Sequence, residues 1–71
     1  MVMWIIFAGS QEPGRTGDRF ITLGGTVTGD KKLSAKFPTY MAAAKFAQSK
    51  NIIIDAQTRY IAQASFEESD I

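Results

Sequence analysis

Ile52-Ile53-Ile54-Asp55-Ala56-Gln57-Thr58-Arg59-Tyr60-Ile61-Ala62-Gln63-Ala64-Ser65-Phe66-Glu67 is the stretch on which the fold turns. Read at period two, Ile52, Ile54, Ala56, Thr58, Tyr60, Ala62, Ala64 and Phe66 share one face. Ile53, Asp55, Gln57, Arg59, Ile61, Gln63, Ser65 and Glu67 share the other. That is apolar-in, polar-out alternation, the pattern of a half-buried strand. Ala, Gln and Glu also make a helix a competing reading. An unbroken strand over 52–67 would run roughly 50 Å at ~3.3 Å per residue. A domain of this size has a radius of gyration near about 11 Å. The segment must therefore bend, break or overhang. Asp55-Ala56-Gln57-Thr58 offers a turn, since Asp suits its first position. Residues 68–71 read as a frayed tail.

Upstream of this stretch lies a helix. Pro38 can open it and Thr39 can cap it. Alanines 42, 43, 44 and 47 give it high intrinsic propensity. At 100° per residue Tyr40, Ala43, Phe46 and Ala47 form one face, with Lys45, Gln48, Ser49 and Met41 opposite. Small alanines on the inner face let such a helix sit close to a sheet. Lys50-Asn51 makes a stop, because Asn tolerates the left-handed conformation.

At the other end, residues 2–8 are apolar on both faces, as in a strand central to its sheet. The apolar run is too short to span a membrane, and no basic residue precedes it as in a leader peptide. The chain therefore reads as cytoplasmic. A loop over 9–18 follows, with Pro13-Gly14 as its sharpest turn signal. Arg19 to Thr28 reads as a second strand, antiparallel to the first, with a bulge at Gly24-Gly25. Residues 33–37 read as a short edge segment. The expected core comprises Trp4, Ile6, Leu23, Tyr40, Ala43, Phe46, Ala47, Ile54 and Tyr60.

The fold class is thus α+β. A small antiparallel sheet is built in the order β-β-α-β, its last segment one long strand or a hairpin, with one helix packed on one face. The 71 residues make a single domain. With no cysteine and no histidine, disulfides and the usual zinc sites are excluded. Self-association is the remaining external support for so small a core. An overhanging C-terminal strand would pair with its copy about a two-fold axis as a homodimer.

Composition points away from catalysis. Without His or Cys, a nucleophile must be Ser or Thr with Lys as its base, and serines 10, 34, 49 and 65 stand singly. Asp18, Asp30 and Asp55 fall at turns, where Asp belongs for backbone reasons. Glu67, Glu68 and Asp70 lie in the tail. No metal or cofactor is expected. Gly24 to Lys31 departs from a phosphate loop, with Asp30 where Lys is needed and Lys31 where Ser or Thr is needed. The net charge of +1 favours no class of partner. Lys31, Lys32 and Lys36, with Arg15 and Arg19, are the candidate nucleic-acid contacts. Met41, Ile53 and Ile61, apolar on polar faces, together with Arg59, are the candidate protein-binding residues.

The opening strand Trp4-Ile5-Ile6-Phe7, the glycine-broken second strand, and Phe37-Pro38-Thr39 leading into Ala42-Ala43-Ala44-Lys45-Phe46-Ala47 resemble, in outline, small phage-encoded accessory proteins of the anti-CRISPR type. The resemblance implies a non-enzymatic inhibitor that occupies the surface of a host protein, such as a defence complex. It carries no specific functional residue. The alternatives are a nucleic-acid-binding accessory protein and a homo-oligomeric structural subunit.

Overall fold

The computed structural model describes residues 1–9, 19–55 and 58–70. The Pro13-Gly14 turn, Arg15, Asp18, Ser10 and Ile71 lie outside the described residues, as do Ala56 and Gln57. Among the described residues, four strands form one antiparallel sheet: β1 (Val2–Ala8), β2 (Phe20–Ile21), β3 (Val27–Thr28) and β4 (Arg59–Ser65), in the order β3-β2-β1-β4. One helix, α1 (Tyr40–Ser49), packs against β1 and β4. This is the α+β class expected, with the doubly apolar β1 inside the sheet.

The β1–β4 ladder sets the register: Val2 pairs with Ser65, Ile5 with Ala62 and Ala8 with Arg59. On its other side β1 meets β2 at Phe7–Phe20 and meets Phe37 at Trp4. Trp4 and Phe37 exchange two backbone hydrogen bonds of 2.8 Å. Residues 33–37 therefore contribute a bridging segment, as their sequence indicates.

Alternation along β1 divides the core into two layers. Ile6 and Ala8 join Ile21 and Ala47 on the helix side, with Phe46, Ile52 and Ile61 packed around them. Ile5 joins Phe20 and Phe66 on the other side, with Met3, Phe7 and Ala64 around them. Ile5, Ile6 and Ile21 are fully buried. Each such side chain stabilises the fold by about 1.5–3 kcal/mol relative to exposure.

The helix begins and ends where its residues dictate. Thr39 Oγ1 accepts from the Ala42 amide at 3.1 Å. At the other end Asn51 adopts φ 58°. The Asn51 amide donates to the Gln48 carbonyl at 3.2 Å, and that of Ile52 to Ala47 at 2.8 Å. This paired closure satisfies helix-end carbonyls, and Ile52 completes it by packing against the cluster that holds Ala47. Ala43 and Ala47 are buried, so the small inner face does seat the helix closely.

Four expectations are corrected. The second strand does not run from 19 to 28. It breaks into β2 and β3, because Gly25 at φ 85° permits a tight turn between them. The Thr22 amide donates to the Thr26 carbonyl at 2.8 Å across that turn. Leu23 sits at its tip, 67% exposed, rather than in the core.

Of the readings of 52–67, one long strand fails and a turn opening at Asp55 holds. Asp55 and Arg59 close a turn in which the Asp55 amide donates to the Arg59 carbonyl at 2.6 Å and the Arg59 amide donates back at 2.9 Å. The expected overhang is absent, because β4 starts at Arg59 and matches β1 residue for residue.

Tyr40, Ile54 and Tyr60 are exposed rather than core. Tyr40 only edges Trp4, at 5.6 Å between ring centroids, and Tyr60 stacks on Phe7 at 5.0 Å. Finally, residues 68–70 are not frayed. They form a 3₁₀ turn with the Asp70 amide on the Glu67 carbonyl at 2.9 Å.

Candidate interaction surface

The apolar candidates do not converge. Met41 lies in the first turn of α1, 62% exposed, and Ile53 lies beyond its C-terminal end, 79% exposed. A helix of this length separates its ends by about 15 Å. Ile61 is no surface residue: it faces Ile6 across the ladder and packs into the helix-side core. Period-two reading put it on the solvent side because the sequence does not reveal that both faces of β4 touch core layers. Arg59 is half-buried and lines, with Lys50, Asn51, Ile52, Ile53, Ile21 and Gly25, a shallow cleft of about 310 Å³.

The basic candidates divide. Arg19 is half-buried at the entry to β2, its carbonyl accepting from the Ala8 amide at 2.7 Å. Lys31 and Lys36 place their ammonium groups 4.7 and 5.0 Å from the centre of the Phe66 ring. Lys31 also donates to the Ser65 carbonyl at 2.6 Å, and Lys36 to the carbonyls of Lys32 and Ser34 at 2.8 and 3.0 Å. Lys32 lies 3.8 Å from the Asp70 carboxylate. These lysines hold the 30–36 segment onto the end of β4. The cleft there, about 420 Å³, is lined by Asp30, Glu67 and Asp70 as well as by Lys31 and Lys32. Its carboxylates offset the cations that would meet a phosphate backbone.

Hydroxyls show the same inward use. Ser34 Oγ donates to the Lys31 carbonyl at 2.6 Å and Ser49 Oγ to Phe46 at 2.8 Å. Among the described residues, no three His, Cys, Asp or Glu side chains gather as a metal site.

What remains open is a backbone surface. The Met1 amino group donates to the Phe66 carbonyl at 2.8 Å, the Phe66 amide returns a bond to Met1 at 2.7 Å, and the Gly9 amide reaches the Thr58 carbonyl at 2.6 Å. With the register of β1 and β4, these bonds show that residues 58, 60, 62, 64 and 66 turn their polar groups toward β1. Residues 59, 61, 63 and 65 turn theirs outward. Asp55 occupies both groups of Arg59, and Lys31 occupies the carbonyl of Ser65. The amides and carbonyls of Ile61 and Gln63, and the Ser65 amide, have no partner among the described residues.

Edge strands are commonly guarded by lysine, proline or a bulge. Between Arg59 and Ser65 this one carries none of them. The sequence signal for this surface was the absence of guards. It was unreadable as such, because position in the sheet is a tertiary fact.

No helix is long and apolar enough to cross a membrane among the described residues. No family model, curated protein or solved structure matches the chain, so its surface is read from its own geometry.

Proposed function

We propose that this chain is a non-enzymatic binding protein that takes an extended segment of another polypeptide onto the outer edge of β4. The observation that carries the reading is the row of unpartnered backbone groups at Ile61, Gln63 and Ser65. Strand addition uses such a row for affinity and takes specificity from side chains alternating on the two faces. Tyr60, stacked on Phe7 and partly exposed, flanks the row on the face away from the helix. Arg59 and Gln63 flank it on the helix side. The engaged lysines favour a protein over a nucleic-acid partner. We take that partner to be a host protein whose surface is occupied, as the outline resemblance to small phage inhibitors would imply.

Gln63→Pro tests this. The Gln63 amide points away from β1, so proline removes an outward donor and spares the inner ladder, as edge strands tolerate. The tagged chain and this variant are used to capture proteins from nuclease-treated bacterial lysate. Capture that survives nuclease and salt, and is lost with Gln63→Pro while circular dichroism is unchanged, is the expected result. Capture abolished by nuclease, or indifferent to Gln63→Pro, overturns it.

A further inference from the structure

We infer that the cleft at the C-terminal end of α1 takes an acidic side chain of a polypeptide partner, with an aliphatic neighbour of that side chain resting on Ile53. This rests on the reading of the chain as a polypeptide binder and not on the edge of β4. The cleft brings Arg59 and Ile53, two residues that the sequence singles out as protein contacts, to one place. Lys50 joins them from the helix end, and Ile21 and Ile52 line the cleft from the helix-side core.

Charge selects the ligand. In the cleft at the end of β4, Lys31 and Lys32 share the walls with Asp30, Glu67 and Asp70. The cleft at the end of α1 has Lys50 and Arg59 in its walls and no Asp or Glu. Among the described residues, neither cation has a carboxylate within ion-pair distance or a side-chain hydrogen bond to an acceptor. Asp55 meets Arg59 through backbone groups, and no ion pair joins their side chains. Arg59 is half-buried. A guanidinium that has given up part of its water without gaining an acceptor carries a cost that an incoming anion removes. Lys50 is laid toward the same space. A Cβ on Gly25 would stand 3.8 Å from Lys50 Cδ, so the lysine stem runs along the 22–26 turn. A carboxylate suits this pair: the arginine fork binds its two oxygens, and the ammonium adds a point charge.

Apolar exposure selects what carries the carboxylate. Ile53, at 79%, and Leu23, at 67%, are the most exposed large apolar side chains among the described residues. Ile53 lines the cleft, and Leu23 belongs to the turn that contributes Gly25 to it. The two unpaired cations are therefore flanked by the two most exposed aliphatic groups. An acidic residue beside an aliphatic one on a protein surface matches both features. A phosphate backbone offers charge without an aliphatic group, and binds through longer rows of cations. At about 310 Å³ and shallow, the cleft admits a side chain or two rather than an enclosed small molecule.

The native chain, labelled with nitrogen-15, is titrated at low salt with a glutamate–leucine dipeptide blocked at both ends, with its glutamine–leucine counterpart, and with inorganic phosphate. The glutamate peptide is expected to give saturable NMR shifts at Gly25, Ile53 and the Arg59 Nε–H. The glutamine peptide and phosphate are each expected to bind roughly threefold or more weakly. Lys50→Met and Arg59→Met are each expected to weaken the glutamate peptide roughly threefold to tenfold, with circular dichroism unchanged. Ile53→Ser is expected to weaken the peptide and leave phosphate alone. Lys50→Glu combined with Arg59→Glu is expected to reverse the preference, so that a blocked lysine–leucine peptide binds instead. No saturable shift at the cleft, or equal binding of the glutamate and glutamine peptides, overturns the inference. Phosphate bound as tightly as the glutamate peptide overturns the polypeptide carboxylate as its ligand. Gln63→Pro is expected to leave the titration unchanged. Saturable shifts with a capture that ignores Gln63→Pro sink the edge reading alone, and absent shifts with a capture lost in Gln63→Pro sink this inference alone.

Discussion

Replacing Phe66 with leucine separates two contributions that meet at one ring. Phe66 is 6% exposed and belongs to the core layer away from the helix. Two ammonium groups sit over it, Lys31 at 4.7 Å and Lys36 at 5.0 Å. Truncation to alanine would remove burial as well and cost about 3–5 kcal/mol. Leucine keeps most of the apolar volume and removes the negative face of the ring. Each cation–π contact at a site open to solvent contributes about 0.5–1 kcal/mol. The two together give an expected coupling of about 1–2 kcal/mol.

A double-mutant cycle isolates it from the volume change: native chain, Phe66→Leu, Lys31→Met with Lys36→Met, and all three. Urea unfolding followed by circular dichroism gives the free energies. At ~4–8 °C of Tm per kcal/mol for a domain of this size, the coupling corresponds to a shift of roughly 4–16 °C. Because the lysines also bond backbone carbonyls, their own substitution is destabilising in both backgrounds and cancels. A coupling below about 0.5 kcal/mol, the spread expected for independent sites, would refute the assignment of these lysines to the ring.

Ala47→Leu puts extra methylenes where α1 meets Ile6 and Ile21, and is expected to cost about 1–3 kcal/mol in the same unfolding assay. Asn51→Val forces a β-branched residue into the left-handed conformation that ends the helix, at an expected cost of about 1–2 kcal/mol, whereas Asn51→Gly is expected to be neutral or stabilising in a thermal melt. In Gln63→Pro, amide exchange followed by NMR is expected to alternate along β4. Tyr60, Ala62 and Ala64 are slow and Ile61 and Ser65 fast; uniform protection would show the outer edge to be covered within one chain.

Local chemistry made the helix legible. Thr39, the alanines and Asn51 act through neighbours a few residues away, so α1 and both its ends could be read directly. The central place of β1 was legible too, because only a strand covered on both faces can afford Met3, Ile5 and Phe7 opposite Trp4 and Ile6. Regions decided by competition were harder. Gly24-Gly25 suits a bulge or a turn equally, and the Thr22–Thr26 contacts that choose the turn form only in place. Alternation over 52–67 is real in β4, but Asp55 ends it early by taking both backbone groups of Arg59. Lys31 and Lys36 looked like free cations because their ring partner lies some thirty residues away, near the other end of the sequence. The open edge could not be found at all without knowing that β4 is outermost.

The pairing of β1 with β4 also sets the order of assembly. Val2 meets Ser65 and Ala8 meets Arg59, so the sheet's longest ladder joins the earliest and latest of the described strands. Contacts this distant in sequence close large loops and slow folding. Until β4 has been made, β1 stands with one whole side of its backbone unmatched, and Ile5 and Ile6, fully buried in the finished molecule, remain within reach of any passing strand. For this chain the vulnerable interval is its own synthesis, and a slow stretch of translation after Ser49 would lengthen it.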